Sequence, residues 1–203
     1  MSQVRIADPL TIEVSRPMVL LRLGYRRPAQ VPERTARLID EIMDKGRSLL
    51  RPRAIYGTFD ASTPEPGISV ISGTLRASSQ SLYERLHGCR RAVLFAATIG
   101  PEVETWSHEL MQDGEMTRGL LSDAFASSAA IALGLEVETI AARVLAEEDL
   151  TATKRYAPGY GDWSLGDQAP LCALIGVGRI GIALTEECLM LPAKSISGVI
   201  GGR

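Results

Sequence analysis

Hydrophobic and polar positions change period several times along the chain, and each change marks an element. Residues 11–15 alternate apolar with polar side chains, the two-residue period of a half-buried strand. Residues 16–24 carry Val19, Leu20, Leu21 and Leu23 behind Pro17, a residue suited to the first turn of a helix, and Gly24 ends the run. From Pro32 to Leu50 the residues Leu38, Ile39, Ile42, Met43, Leu49 and Leu50 recur at helical spacing with charges between them, so one face packs and the other is wet. β-Branched and apolar content predicts strands over 53–59 and 68–76, on either side of a turn at Pro64-Glu65-Pro66-Gly67. Residues 79–88 read as a helix capped by Ser78 or Ser79.

The run Arg91-Ala92-Val93-Leu94-Phe95-Ala96-Ala97 is almost uninterrupted in its apolar character, as in a strand buried on both faces. It leads into Thr98-Ile99-Gly100-Pro101, where glycine and proline announce a helix with Val103, Trp106 and Leu110 on one face. The longest helical pattern, Met116 to about Glu148, is rich in alanine, and its small side chains admit close packing by another element. A polar connector over 149–154 follows. Ser164 caps a helix reaching about Ile175, and residues 179–184 and 194–200 form the last two strands. Strands clustered between residues 53 and 97, long helices after them and two closing strands predict an α+β fold, with a mixed or antiparallel twisted sheet covered by long helices. A length of 203 residues fits one domain, 1–203, able to bury about 70% of the surface its unfolded chain would expose.

Charge and cysteine usage narrow the function. A net charge of −2 gives no electrostatic footprint for nucleic acid or for an anionic membrane. The apolar runs are far shorter than a bilayer span, and Met1-Ser2-Gln3-Val4-Arg5 has no apolar signal core, so the cytoplasm is the expected location. Cys89, Cys172 and Cys188 form no Cys-x-x-Cys pair, which argues against a disulfide framework, a zinc ribbon or an iron–sulfur cluster. His87 and His108 are isolated and read as surface residues.

Several segments carry candidate chemistry. Thr98-Ile99-Gly100-Pro101 would expose helix N–H groups to an anion but lacks the phosphate-loop and dinucleotide fingerprints, and a helix cap explains it. Gly176-Val177-Gly178 follows a helix and precedes a strand, so it reads as a helix-ending turn. Asp123, Glu136 and Glu138 are candidate carboxylates on the long helix; Glu138, close before the connector, would accept well from two vicinal hydroxyls, while a solvated helix face explains all three. No Ser-His-Asp order or Gly-x-Ser-x-Gly elbow points to hydrolysis.

The segment Arg155-Tyr156-Ala157-Pro158-Gly159-Tyr160-Gly161-Asp162-Trp163 stands apart. Proline and glycine so close together forbid a continued helix, so this is a shaped turn. Arginine at its start offers a rigid fork that can grip a carboxylate at two points, and Gly159 and Gly161 would let a ligand approach the main chain.

Arg155-x-x-x-Gly159-Tyr160, then Leu184-Thr185-Glu186, Met190-Leu191-Pro192 and Ser195-Ile196-Ser197-Gly198, resembles in order and spacing the reactivation domain of cobalamin-dependent methionine synthase. That family has cysteine where Trp163 stands and serine where Glu187 stands. The resemblance implies a binder of S-adenosylmethionine in which Arg155 holds the methionyl carboxylate, Ala157 presents its backbone and Tyr160 faces the corrinoid. The implied cofactor-binding set is Arg155, Tyr156, Ala157, Pro158, Gly159 and Tyr160, with Glu138. The implied activity is reductive methylation of a Co(II) corrinoid, with an electron donor protein supplying the electron. Cobalamin would be held by a partner, because this length leaves no room for a corrinoid domain, a homocysteine site or a folate barrel. The expectation is therefore a free-standing reactivation subunit, not active alone, for a separate methionine synthase. A reactivator of another corrinoid methyltransferase, or a non-catalytic module that grips a corrinoid protein, remains open on the same residues.

Overall fold

A computed structural model describes residues 4–27, 29 and 31–203; of the N-terminal stretch read for a signal core, Met1, Ser2 and Gln3 lie outside these. The frame is β1 (Val4–Ala7), α1 (Arg16–Arg22), α2 (Glu33–Leu49), β2 (Arg53–Glu65), β3 (Ile68–Ile71), β4 (Leu75–Ser78), α3 (Gln80–Leu86), β5 (Arg91–Thr98), α4 (Glu102–Gln112) and α5 (Met116–Ala146). After the connector come α6 (Gln168–Ile175), the short β6 (Ala183–Leu184) and β7 (Met190–Leu191), and β8 (Ser195–Gly202).

The main sheet runs β4-β3-β2-β5-β8, with β1 also on β2, and every pairing is antiparallel. β2 has a single neighbour, β5, along one edge and two in succession, β1 and then β3, along the other. Its register against β3 shifts between Ser62 and Glu65, so Pro64 sits at an irregularity where its missing N–H costs no ladder bond.

β5 separates two cores. Val93, Phe95 and Ala97 face α1, α2, α4 and α5, while Ala92, Leu94 and Ala96 face α3 and α6. The apolar run that predicted a strand buried on both faces is explained by this alternation, and the expected α+β architecture is the one observed. Gly46 of α2 lies where any Cβ would collide with the Phe125 ring of α5, so the first core is closed by a ring set directly on a helix backbone.

Three local expectations are corrected. Residues 11–15 form no strand: Ile12 and Val14 do turn inward, but no strand pairs with the segment, so its alternation records one-sided burial alone. Residues 68–76 are two strands, not one, because the chain turns at Ser72-Gly73-Thr74. Residues 179–184 are not one strand: Arg179 and Ile180 end a 3-10 turn, Val177–Ile180, which Gly181 closes at φ +78°, and only Ala183–Leu184 is strand; Ile180 and Ile182 are buried without belonging to a ladder. Ser79 caps α3 as expected, accepting from Leu82 N–H at 3.0 Å. Ser164 caps a 3-10 turn, Leu165–Asp167, that leads into α6. Among the described residues no helix is long and apolar enough to cross a membrane.

Candidate functional site

The Arg155 turn is hung on the outer edge of β8. Thr151 and Arg203 exchange backbone bonds of 2.7 and 3.1 Å, Thr153 N–H donates to Gly201 at 2.8 Å, and Tyr156 and Val199 exchange bonds of 2.9 and 2.8 Å. The polar connector is thus a short extra strand in all but name. Tyr156 is its last paired residue, opposite Val199. Backbone groups in a strand alternate in direction, so Ser197 and Ser195 point theirs to the same edge as Val199, beyond the point where the chain swings away. That opening is a cleft of about 330 Å³ lined by Arg155, Tyr156, Ala157, Pro158 and Tyr160 from the turn, Ser195, Ile196 and Ser197 from β8, and Phe95, Gln168 and Met190.

Gly198 makes this arrangement possible, since a Cβ there would overlap Tyr156 O and reach Phe95 Cζ at 3.1 Å. The turn itself is closed by Tyr160 N–H to Ala157 O (3.2 Å), Trp163 N–H to Tyr160 O (3.0 Å) and Gly159 N–H to Trp163 O (2.9 Å), with Gly159 at φ +86°. Behind it Trp163 is 2% exposed and stacks on Tyr156 with centroids 5.9 Å apart, and its Nε1–H donates to Asp167 at 2.8 Å. The Arg85 guanidinium covers the Tyr156 ring at 4.4 Å, and the Tyr156 hydroxyl donates to Tyr160 O at 2.9 Å. Trp163 therefore fills volume, as its size dictates.

Asp162 ties the turn to the start of α3. Its carboxylate accepts from the Ser79 hydroxyl (2.7 Å) and from the N–H groups of Gln80 (2.7 Å) and Ser81 (3.2 Å), and these bonds hold its carboxyl well below the usual carboxylate range.

Across the cleft, Gln168 accepts from the Ser197 hydroxyl at 2.9 Å and donates to Cys188 O. Thr185 closes the β6–β7 hairpin turn, its N–H donating to Leu189 O (2.9 Å) and its hydroxyl accepting from Leu189 N–H (3.2 Å), and the returning strand delivers Met190 to the cleft. Phe95, Gln168 and Met190 line the cleft outside the binding set that the resemblance implies; Met190 belongs to one of its motifs, while Phe95 and Gln168 look like ordinary strand and helix positions.

Arg155 lies over α5. Its Nε pairs with Glu138 Oε1 at 3.3 Å, each side chain about one-third exposed at 34% and 35%, and its guanidinium rests against the backbone at Gly134. Two donor atoms of cleft residues, Arg155 Nη1 and Ser195 Oγ, are buried with no hydrogen-bond partner. Buried donors are normally satisfied; Nη1 is pressed against the backbone at Gly134, whereas Ser195 Oγ is left to meet a guest's acceptor.

The other acidic candidates separate. Asp123 pairs with Lys194 at 2.8 Å, a tether between α5 and the start of β8, and Lys194 also donates to Ser127 at 3.0 Å. Glu136 is two residues from both Gly134 and Glu138 on α5, hence on another face. Gly159 and Gly161 face Leu165 and the Tyr156 hydroxyl with Ser81, respectively, and not the cleft. His87 and His108 are exposed. Cys89 and Cys172 are buried, and burial, with the neighbouring Cys188, pushes the Cys172 thiol up to about 11. A larger open groove of about 890 Å³ lies between the start of α2 and the α4–α5 turn, and two of the three arginines that line it, Arg37 and Arg118, are already paired with Glu33, Glu41 and Glu115.

Fold and cleft together define an activation-type domain. A family model described as "Vitamin B12 dependent methionine synthase, activation domain" matches residues 88–203, which take in every lining residue of the cleft, and the chain belongs to that family. The resemblance read from the sequence is borne out. Among solved structures, the one described as "Crystal Structure of the MetH Reactivation Domain bound to AdoHcy" is similar with a TM-score of 0.73 at 17% identity, over 98% of this chain and 78% of that one. The likeness of fold thus extends over most of the described residues before 88, outside the family match. Curated protein sequences give no match.

Proposed function

We propose that the cleft binds S-adenosylmethionine and that the chain, as one activation-like unit over residues 1–203, serves the reductive methylation of a Co(II) corrinoid carried by a separate methionine synthase. The observation that carries this reading is a cleft in which the Arg155 side chain and the buried, unpartnered Ser195 Oγ meet an open strand edge. A solved relative of the same fold carries AdoHcy, a close chemical analogue of the proposed ligand.

S-Adenosylmethionine supplies an electrophilic methyl group, and its partner-held acceptor would be cobalamin reduced by an electron donor protein. This chain's share is positioning. Arg155 offers a fixed guanidinium to the methionyl carboxylate, and Glu138 keeps that guanidinium from turning to solvent. The unpaired edge at Ser195 and Ser197, and the backbone of Ala157, offer main-chain donors and acceptors to the amino and ribosyl groups. Tyr156, Pro158, Ile196 and Met190 supply the apolar wall that a purine needs, and Gly159 shapes the turn that presents it. Tyr160 is 65% exposed, and Ile131, Leu189 and Leu191 are exposed on elements that frame the cleft, an apolar rim suited to a partner protein.

Calorimetric titration with S-adenosylmethionine and with S-adenosylhomocysteine tests the reading. Uptake by the wild type, lost in Arg155→Ala and weakened about tenfold or more in Arg155→Lys, which lacks the planar fork, is the expected result. Equal affinity in Arg155→Ala would remove Arg155 from the site. Co-purification with corrinoid proteins then tests the partner: retention on a cobalamin-loaded methionine synthase is expected, and retention only on a different corrinoid methyltransferase would redirect the assignment.

A further inference from the structure

α5 is 31 residues long and contains two interior glycines, Gly119 and Gly134. Glycine is the poorest helix former after proline, so each of these needs a packing reason. Gly119 has one of a common kind: a Cβ there would meet the Met111 side chain and, at 3.1 Å, Ser107 O, so the glycine lets α4 lie close. Gly134 has a different neighbour. The position its Cβ would take is filled by the Arg155 guanidinium, with Nη1 deepest, Cζ at 2.6 Å and Nη2 at 3.1 Å. Glu138 lies one helical turn further on, on the same face, and pairs with Nε.

We propose that Gly134 is the positioning residue of the cleft: its missing side chain is the slot that fixes the depth and direction in which Arg155 presents its guanidinium. The inference rests on the proposed carboxylate-gripping role of Arg155 and adds what holds it in place. Arginine has many rotamers, and a guanidinium resting on a flat helix face could swing toward solvent. Here the notch accepts one edge and Glu138 secures Nε, leaving Nη2 least engaged with the helix. A single added methyl at residue 134 would lift the group out of the notch, because the backbone of a helix interior cannot retreat.

The test combines a ligand-free and a ligand-bound measurement on wild type, Gly134→Ala, Arg155→Ala and the double variant. In thermal unfolding, Gly134→Ala is expected to raise the midpoint in the Arg155→Ala background, as alanine does in a helix, and to leave it unchanged or lower it when Arg155 is present. An equal rise in both backgrounds would overturn the slot. In calorimetry with S-adenosylhomocysteine, Gly134→Ala should weaken uptake about tenfold or more, as the loss of one charge-assisted hydrogen bond does. In an Arg155→Lys background Gly134→Ala should cost little further, since the slimmer ammonium passes the methyl. Wild-type-like affinity in Gly134→Ala overturns this inference alone, whereas no uptake by the wild type overturns the proposed function as well. If Gly134→Ala does not fold, restored folding in the double variant supports the slot and its absence refutes it.

Discussion

At Arg155 and its neighbours, close approach matters more than charge. Three groups, the Arg155 guanidinium, the Tyr156 carbonyl and the Phe95 ring, come within contact of positions where any side chain longer than hydrogen would intrude, at Gly134 and Gly198. Gly198→Ala should therefore act on the site twice, pushing the connector off β8 and crowding the cleft floor. Overpacking of this kind costs about 1–3 kcal/mol, so urea denaturation should show a lower midpoint, and uptake of S-adenosylhomocysteine should fall in parallel. Sequence pattern reveals these positions poorly. The Ser195-Ile196-Ser197-Gly198 motif marked Gly198 through family resemblance, and the abundance of small residues on the long helix announced a close neighbour. It did not announce that the neighbour is an arginine from a turn separated from Gly134 by the rest of α5 and the connector, because such a contact has no local signature.

At the scale of elements, the turn between Arg155 and Trp163 is anchored at both ends by groups outside it: β8 holds its start and α3 its finish through Asp162. Asp162 also tests this by pH. Its folded-state affinity for protons is lowered, so its contribution is present above the ordinary carboxylate value of about 3.9 and is lost as acid protonates the folded form below it. Asp162→Ala should melt earlier than wild type near pH 7, and the gap should close as the pH falls below about 4, as differential scanning calorimetry can follow. Elements whose signals are local were legible: the Ser79 cap, the proline-led starts of α1 and α4, and the apolar run of β5. Residues 11–15 misled because an inward-outward alternation reports burial, while a strand also needs a neighbour to pair with, and in residues 179–184 Gly181 bends the chain before a longer ladder can form.

For the whole molecule, the sheet is the common wall of two cores. β2, β5 and β8 each give residues to both, as with Ala54 and Ile55, Val93 and Leu94, and Ile200 and Val199. We propose on this ground that the described residues unfold as a single unit. Near-ultraviolet and far-ultraviolet circular dichroism should give coincident unfolding curves; two separated transitions would divide the chain at the sheet. The expected α+β order was readable because strands and helices segregate along the sequence, whereas the placement of helices on both sheet faces was not, since burial alone does not say which face a helix covers.

The dependence of the Arg155 turn on β8 has a consequence in time. That strand follows the turn in the chain, so a nascent polypeptide released as far as Trp163 already carries the arginine and both tyrosines but has no second bank for a guest to rest against. The receptor comes into being only when the closing strand docks. Any guest therefore recognises finished molecules alone, and draws the population toward them.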